Sequence, residues 1–509
     1  MDQRPTSLRA AVSYYVTTPI YYVNAAPHLG HAYTTIAADV MARHMRQRGE
    51  EVFFLTGTDE HGEPVAQAAE RAGVTPRELA DGNAQRFKDL MPVLEASNDF
   101  FIRTSDVEHV QRVQDVLQRV HDNGFVYKGL YEGWYCPRCA DFKTGTEIGP
   151  DNTCPIHGIP LEWEHEENWF FRLSDFQQPL EDLFERRPDF VAPRARYNEA
   201  KAFIDQGLQD VSLTRATLSW GVPVPWDDNQ VFYVWFDALL NYYTALSYAD
   251  SGRDLTDTFW PATYHLIGKD ILKFHSIYWP ALLMAAQIEP PQHLYVHGFL
   301  LQEGQTLSKS LGNGIDPRQV VDTYGADALR HYLLRDVTFG QDGSVSTTAF
   351  ETRYEAELAN EYGNLASRTI AMVHRYRDGV VPRTDLDERL RGDLDIARAV
   401  SDRLDKADLT GALDVIWHAV RRLNRYVEEQ APWQLARDEA RSDELDCTLR
   451  SVIEGLRVLT VLLHAYLPTA TERVLTALDQ PSTDYAQAAY GAGDGGSGLG
   501  QLEPLFPKR

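Results

Sequence analysis

Cysteine is scarce in this chain, with four in 509 residues. That excludes a disulfide framework as the source of stability. Three of the four, Cys136, Cys139 and Cys154, fall in one short stretch, which points to bound metal in a reducing compartment. Long apolar runs are missing as well: the most apolar late stretch, 452–467, is broken by Glu454, Arg457 and His464, and no segment reaches the roughly 18 apolar residues of a membrane span. The start, Met1-Asp2-Gln3-Arg4-Pro5, lacks the apolar centre of a signal peptide. These absences lead us to expect a cytoplasmic protein with no membrane partner. Positive charge is also in deficit, with 49 Lys and Arg against 74 Asp and Glu and a net charge of -25. Such a field repels phosphate and argues against indiscriminate nucleic-acid binding, while leaving room for one RNA docked on a local basic face.

What is present reads as two to four domains, because one core does not grow to this length. Ser13 to Thr18 is β-branched and aromatic and reads as a buried strand. A helix follows over 32–48, and between them lies Asn24-Ala25-Ala26-Pro27-His28-Leu29-Gly30-His31. Two histidines around a glycine at a helix start have two readings, a pair of helix caps or a cradle for an anion at the positive dipole end. A second strand, 51–56, runs into Gly57-Thr58-Asp59-Glu60-His61-Gly62, and a helix follows over 64–72. Strand-helix alternation implies a parallel sheet with ligands at the carboxyl ends of its strands, which places Asp59 and His61 at a small-molecule site.

The alternation stops near Gly124. Cys136-Pro137-Arg138-Cys139 and Cys154-Pro155-Ile156-His157 then supply three thiolates and an imidazole at the spacing of a closed structural zinc site, with Cys136, Cys139, Cys154 and His157 as ligands. Strand signals return at 230–237, 263–267 and 294–300, with helices at 238–248 and 271–286 and a polar loop at 305–313. Past Phe350 only amphipathic helices remain, at 358–375, 390–406, 411–430 and 451–467, before a glycine-rich segment, 491–500, that reads as flexible. The expected architecture is α/β: a Rossmann-type doubly wound parallel sheet built from 1–123 and 208–335, a zinc-bearing insertion at 124–207, a connecting segment at 336–357 and a helical bundle at 358–509.

His28-Leu29-Gly30-His31 and Leu307-Ser308-Lys309-Ser310, in that order and followed by the bundle, resemble the paired signatures of class I aminoacyl-tRNA synthetases. Within that class the chain resembles the methionyl-tRNA synthetases over nearly its whole length, through 18–24, 55–62, the knuckles, 233–242, 267–275, 364–368 and Pro432-Trp433. The resemblance implies ATP-dependent activation of L-methionine and its transfer to the 3′ end of tRNA(Met), with Mg²⁺ carried by the nucleotide. It implies catalytic roles for His28, His31 and Lys309, and ATP contacts from Gly30, Lys269, Asp270 and Ser308. It implies a methionine pocket of Ile20, Tyr22, Asp59, Arg215, Trp235, Ala238, Tyr242, Ile271, Phe274, His275 and Trp279, with Arg215 near Asp59. Asn364, Arg368 and Trp433 are implied to read the anticodon, with Arg421, Arg422 and Arg425 as a nearby basic patch.

One departure stands out. The family's mobile loop usually reads Lys-Met-Ser-Lys-Ser, and here Thr306 takes the place of the first lysine. The C-terminal β-barrel that dimerises some relatives has no counterpart, so a monomer is expected. Synthetases for isoleucine, leucine or valine would need a large editing insertion. The rival from another class is a non-catalytic or specialised synthetase paralogue.

Overall fold

The computed structural model describes residues 13–137, 141–143, 145–156, 158–302, 305–306 and 316–508. Its centre is a parallel sheet of six strands in the order β3-β2-β1-β12-β13-β7. The strands are β1 (Ser13–Tyr22), β2 (Glu51–Asp59), β3 (Phe100–Arg103), β7 (Val191–Ala192), β12 (Tyr264–Gly268) and β13 (His293–His297). Strand order reverses between β1 and β12, so the crevice beyond their carboxyl ends is the natural ligand position. Helix α1 (Leu29–Gln47) follows β1 and is buried on nearly every side, which explains why its apolar pattern is continuous rather than a single stripe.

Between the two halves of this sheet lies an antiparallel layer. Strands β4 (Val126–Cys136), β5 (Asp141–Lys143), β6 (Glu162–Phe171) and β8 (Val211–Ser212) form one sheet in the order β5-β4-β6-β8. Strands β9 (Thr214–Arg215), β10 (Pro223–Val224) and β11 (Asp227–Phe232) form a second. β7 arises inside the 124–207 insertion yet pairs with β13, so the insertion also supplies the edge of the central sheet. A third small sheet pairs β14 (Leu300–Gln302) with β15 (Gln305–Thr306) antiparallel and β16 (Gly343–Ser344) parallel. Residues 307–315 lie outside the described residues, as do Cys139 and His157.

One core runs from a face of the central sheet through α1 and the helix Ala326–Asp336 into the bundle. It encloses a fully buried ion pair, Arg330 Nη2 to Asp39 Oδ2 at 2.7 Å. Burial pushes the Asp39 carboxyl up, but Arg330 and Arg43 outweigh it and hold the group below its ordinary range.

Three expectations are corrected. The apolar run 230–237 is strand only to Phe232; Tyr233, still extended, is the N-cap of the helix Val234–Leu239. A run buried on all sides carries no period to separate strand from helix. The helix drawn at 271–286 is in three parts, with a wide π-helical turn at Phe274–Tyr278. The glycine-rich tail is docked, not loose. Gly491 N–H donates to Glu454 at 2.7 Å and Gly496 N–H to the Val381 carbonyl at 2.8 Å, and a Cβ on Gly493 would sit 2.5 Å from Glu454 Oε2. Its glycines permit close approach to a buried carboxylate, a use that composition does not reveal.

Candidate functional site

A cavity of about 660 Å³ opens at the carboxyl ends of β1, β12 and β13. Of the residues anticipated from sequence, Ile20, Tyr22, His28, Gly30, His31, Asp59, Trp235, Ala238, Tyr242, Lys269, Asp270, Ile271, Phe274 and His275 line it.

Of the two readings of their motif, the structure shows the histidines as helix caps. His28 is the N-cap of α1: its Nδ1 accepts from Gly30 N–H at 3.1 Å, while His31 Nδ1 accepts from His28 N–H at 3.1 Å. Each Nδ1 accepts, so a neutral ring carries its proton on Nε2. The rings stack at 3.7 Å. Gly30 makes room for this, since a Cβ there would lie 3.0 Å from His28 Cε1.

His297, at the end of β13, was assigned no role from sequence. It lines the same cavity, and its Nε2 meets Thr34 Oγ1 of α1 at 2.8 Å. Burial holds it down to about 4, so it is neutral at physiological pH. A histidine-glycine pair closing a buried strand is the signal that could have found it. Lys269 reaches Asp342 at 2.6 Å and covers the Phe299 ring at 4.5 Å. Asp270 folds over Gly268, where a Cβ would stand 2.5 Å from its Oδ1.

The end of the cavity around Trp235 and Phe274 is aromatic. Trp235 and Phe274 stack at 3.8 Å, within 6° of parallel. Tyr242 Oη lies 2.8 Å from His275 Nε2, and His275 Nδ1 lies 3.0 Å from the Ile271 carbonyl. That carbonyl can only accept, so the His275 proton sits on Nδ1 and Tyr242 donates to Nε2. Burial lowers His275 to about 4, which keeps this polarity fixed. The wide turn at 274–278 is what brings Phe274 and His275 to the cavity together.

Asp59 is 3% exposed, and its Oδ1 has no hydrogen-bond partner among the described residues. Burial first, and then the charge of Asp237, push its carboxyl well above the ordinary range. A buried carboxylate oxygen without a donor fits a cationic ligand group.

Two anticipated contacts do not form. Arg215 does not line the cavity. Its Nη1 donates to the Thr214 carbonyl at 2.8 Å and to Ser212 Oγ at 3.0 Å, and its guanidinium covers the Tyr233 ring at 4.1 Å. It braces the antiparallel layer instead of orienting Asp59. Trp279 is fully buried behind Tyr242, donating Nε1–H to His265 at 3.3 Å.

In the bundle, Asn364 is exposed and Trp433 is 37% exposed on the buried Pro432. Arg368 is engaged on the last turns before Trp433, with Nη1 2.6 Å from Glu428 and Nη2 2.9 Å from Asn424 Oδ1. The expected basic patch is largely neutralised. Arg421 pairs with Glu357 and Glu361, and Arg422 with Asp393 and Glu429, while Arg425 is exposed. Helical spacing places these arginines on the bundle but says nothing of the carboxylates that neighbouring helices bring.

Among the described residues no three metal-binding side chains gather. Cys136 and Cys154 are each fully buried in one small cluster with Leu161. Ser308 and Lys309 lie outside the described residues, and Thr306 enters the loop from β15, opposite Leu301.

The profile described as tRNA synthetases class I (M) matches residues 14–159 and 146–370. The methionine–tRNA ligase of Streptomyces coelicolor is 45% identical over 489 residues, 93% of this chain and 91% of that protein. That of Brucella suis is 43% identical over 506 residues, 97% of this chain and 98% of its own length. The Mycobacterium tuberculosis methionyl-tRNA synthetase in complex with methionyl-adenylate superposes with a TM-score of 0.93 at 40% identity, covering 97% of this chain and all of that one. On these matches over nearly its whole length, the chain belongs to the methionine–tRNA ligases among the class I tRNA synthetases.

Proposed function

We propose that this cavity is where the ligase activates L-methionine with ATP, and that the residues act as follows. The methionine carboxylate oxygen attacks the α-phosphorus, the bond to pyrophosphate breaks, and the mixed anhydride forms. The terminal ribose hydroxyl of tRNA(Met) then attacks the carbonyl and AMP leaves. In-line phosphoryl chemistry of this kind rests on positioning and electrostatic stabilisation. His28 and His31 give Nε2–H donors to the phosphates at the start of α1, close to the Gly30 backbone. Asp270 accepts from ribose hydroxyls, and Lys269 exchanges its pairing with Asp342 for phosphate.

Lys309, with Ser308, supplies charge to the triphosphate from the 307–315 loop, where Thr306 leaves one positive charge fewer than the family pattern. Asp59 takes the ammonium group, Ile20 and Tyr22 flank the backbone of the amino acid, and Trp235, Ala238, Tyr242, Ile271, Phe274 and His275 enclose the thioether. Mg²⁺, bound with ATP, would offset phosphate charge.

Asn364, Arg368 and Trp433 are the proposed anticodon contacts; Arg368 then shares its Glu428 pairing with a base. Zinc is proposed on Cys136, Cys139, Cys154 and His157. The burial of Cys136 and Cys154 in one cluster suits thiolates closing a structural site, and metal analysis of the purified protein should return one zinc per chain. A cytoplasmic location and a monomeric state complete the reading; sedimentation tests the latter.

The observation that carries the reading is the convergence on one cavity of two helix-capping histidines, an aromatic enclosure and a buried carboxylate oxygen lacking a donor. Methionine-dependent ATP–pyrophosphate exchange is the test. Exchange with methionine alone among the amino acids supports it; no exchange at any methionine concentration would favour a non-catalytic paralogue.

A further inference from the structure

Three buried carboxylates crowd the turn after β2, and their partners differ. Glu60 is held by Arg103, with Nε to Oε1 at 2.7 Å, and by Ser105. Asp237, on the helix Val234–Leu239, is fully buried between two histidines: Oδ2 lies 2.6 Å from His61 Nδ1 and Oδ1 lies 2.8 Å from His109 Nε2. His109 Nδ1 in turn meets Thr244 Oγ1 at 2.8 Å. Asp59 alone keeps an oxygen with no donor among the described residues.

The three groups are mechanically joined. His61, two residues after Asp59 on the same turn, gives its ring to Asp237. Trp220 closes the other side, accepting from Gly62 N–H at 3.1 Å and donating Nε1–H to the Glu60 carbonyl at 2.5 Å. The helix that carries Asp237 also places Trp235 and Ala238 in the cavity.

We propose that Asp237, through His61 and backed by His109, is a positioning residue for the amino-acid substrate: it clamps the turn that aims Asp59 and places beside it a second negative charge that favours a protonated α-amino group. The inference rests on Asp59 being the ammonium receptor. The charged and titratable groups facing Asp59 are Tyr22 from β1, Glu60 and His61 from its own turn, Asp237 from the packed helix, and Tyr242 beyond it. Those facing Asp237 are His61, His109, Asp59 and Tyr22. Asp237 and, less strongly, Glu60, whose carboxylate Arg103 engages, oppose ionisation of Asp59 when the site is empty. An ammonium arriving at Asp59 relieves that opposition.

The experiment measures KM for methionine, KM for ATP and kcat in pyrophosphate exchange across pH, for the wild type, Asp237→Asn and Asp59→Asn. Asp237→Asn should raise the alkaline plateau of KM for methionine about tenfold. It should also move the acid limb of that profile to lower pH, with KM for ATP unchanged. A plateau that rises without any movement of the limb means a merely structural clamp and overturns the electrostatic half. An unchanged KM and limb overturns the proposal outright. If Asp59→Asn leaves KM for methionine intact, it is the receptor assignment that fails. Should Asp237→Asn not fold, His61→Ala is read in the same assay: a rise in KM for methionine with ATP unaffected supports the clamp, and no rise refutes it.

Discussion

Asp59→Asn separates binding from stability in a way few substitutions do. The carboxyl is 3% exposed, its Oδ1 lacks a donor, and burial followed by Asp237 raises its pKa well above the ordinary range. Removing one partner of a buried charged pair costs about 3–5 kcal/mol. At about 1.4 kcal/mol per tenfold, KM for methionine should rise roughly a hundred- to a few thousand-fold, with KM for ATP little changed.

The empty protein should respond in the opposite direction. With the folded pKa above the unfolded one, the folded state retains a proton that the unfolded state has released, so ionisation lowers stability as pH rises through that window. The amide cannot ionise and escapes this cost. Thermal melts of the empty variant should therefore match or exceed the wild type, increasingly so toward alkaline pH, while methionine should stabilise the variant far less. In the wild type, ammonium binding displaces the Asp59 proton, so KM for methionine falls as pH rises through the folded pKa. A KM within tenfold of wild type, or a variant that melts several degrees lower, would refute this account.

Two other outcomes follow from groups outside the cavity. Asp327 is raised to about 7 by burial and then by Glu95, although Ala470 N–H donates to it at 2.6 Å. From an ordinary value of about 3.8, the folded state should lose roughly 4 kcal/mol of stability as pH rises to neutrality, and Asp327→Asn should flatten that decline in denaturant titrations at acid and neutral pH. Trp433→Ala should leave pyrophosphate exchange intact and lower charging of tRNA(Met) by about 1–3 kcal/mol, the worth of one base stack; equal loss in both assays would remove Trp433 from the RNA interface.

Much of the site was legible because its chemistry is local. His28-Leu29-Gly30-His31 lies at a helix start, where capping needs only neighbouring residues, and Asp59 closes a strand that ends at the sheet's carboxyl edge. What stayed hidden depends on distant partners. Arg215 and Asp59 are 156 positions apart, and nothing in either segment reveals that Tyr233 and Thr214 claim the guanidinium first. His297 needed Thr34, and the arginines of the bundle needed the glutamates of facing helices.

By itself, then, the sequence determined the order of strands and helices, the two signature motifs, the paired knuckles and hence the family, since each is written in residues close together along the chain. Only the tertiary structure decided which charges are compensated. Desolvation is set by packing from every direction, and it leaves Glu60 and Asp237 with hydrogen-bond partners while one oxygen of the neighbouring Asp59 has none among the described residues.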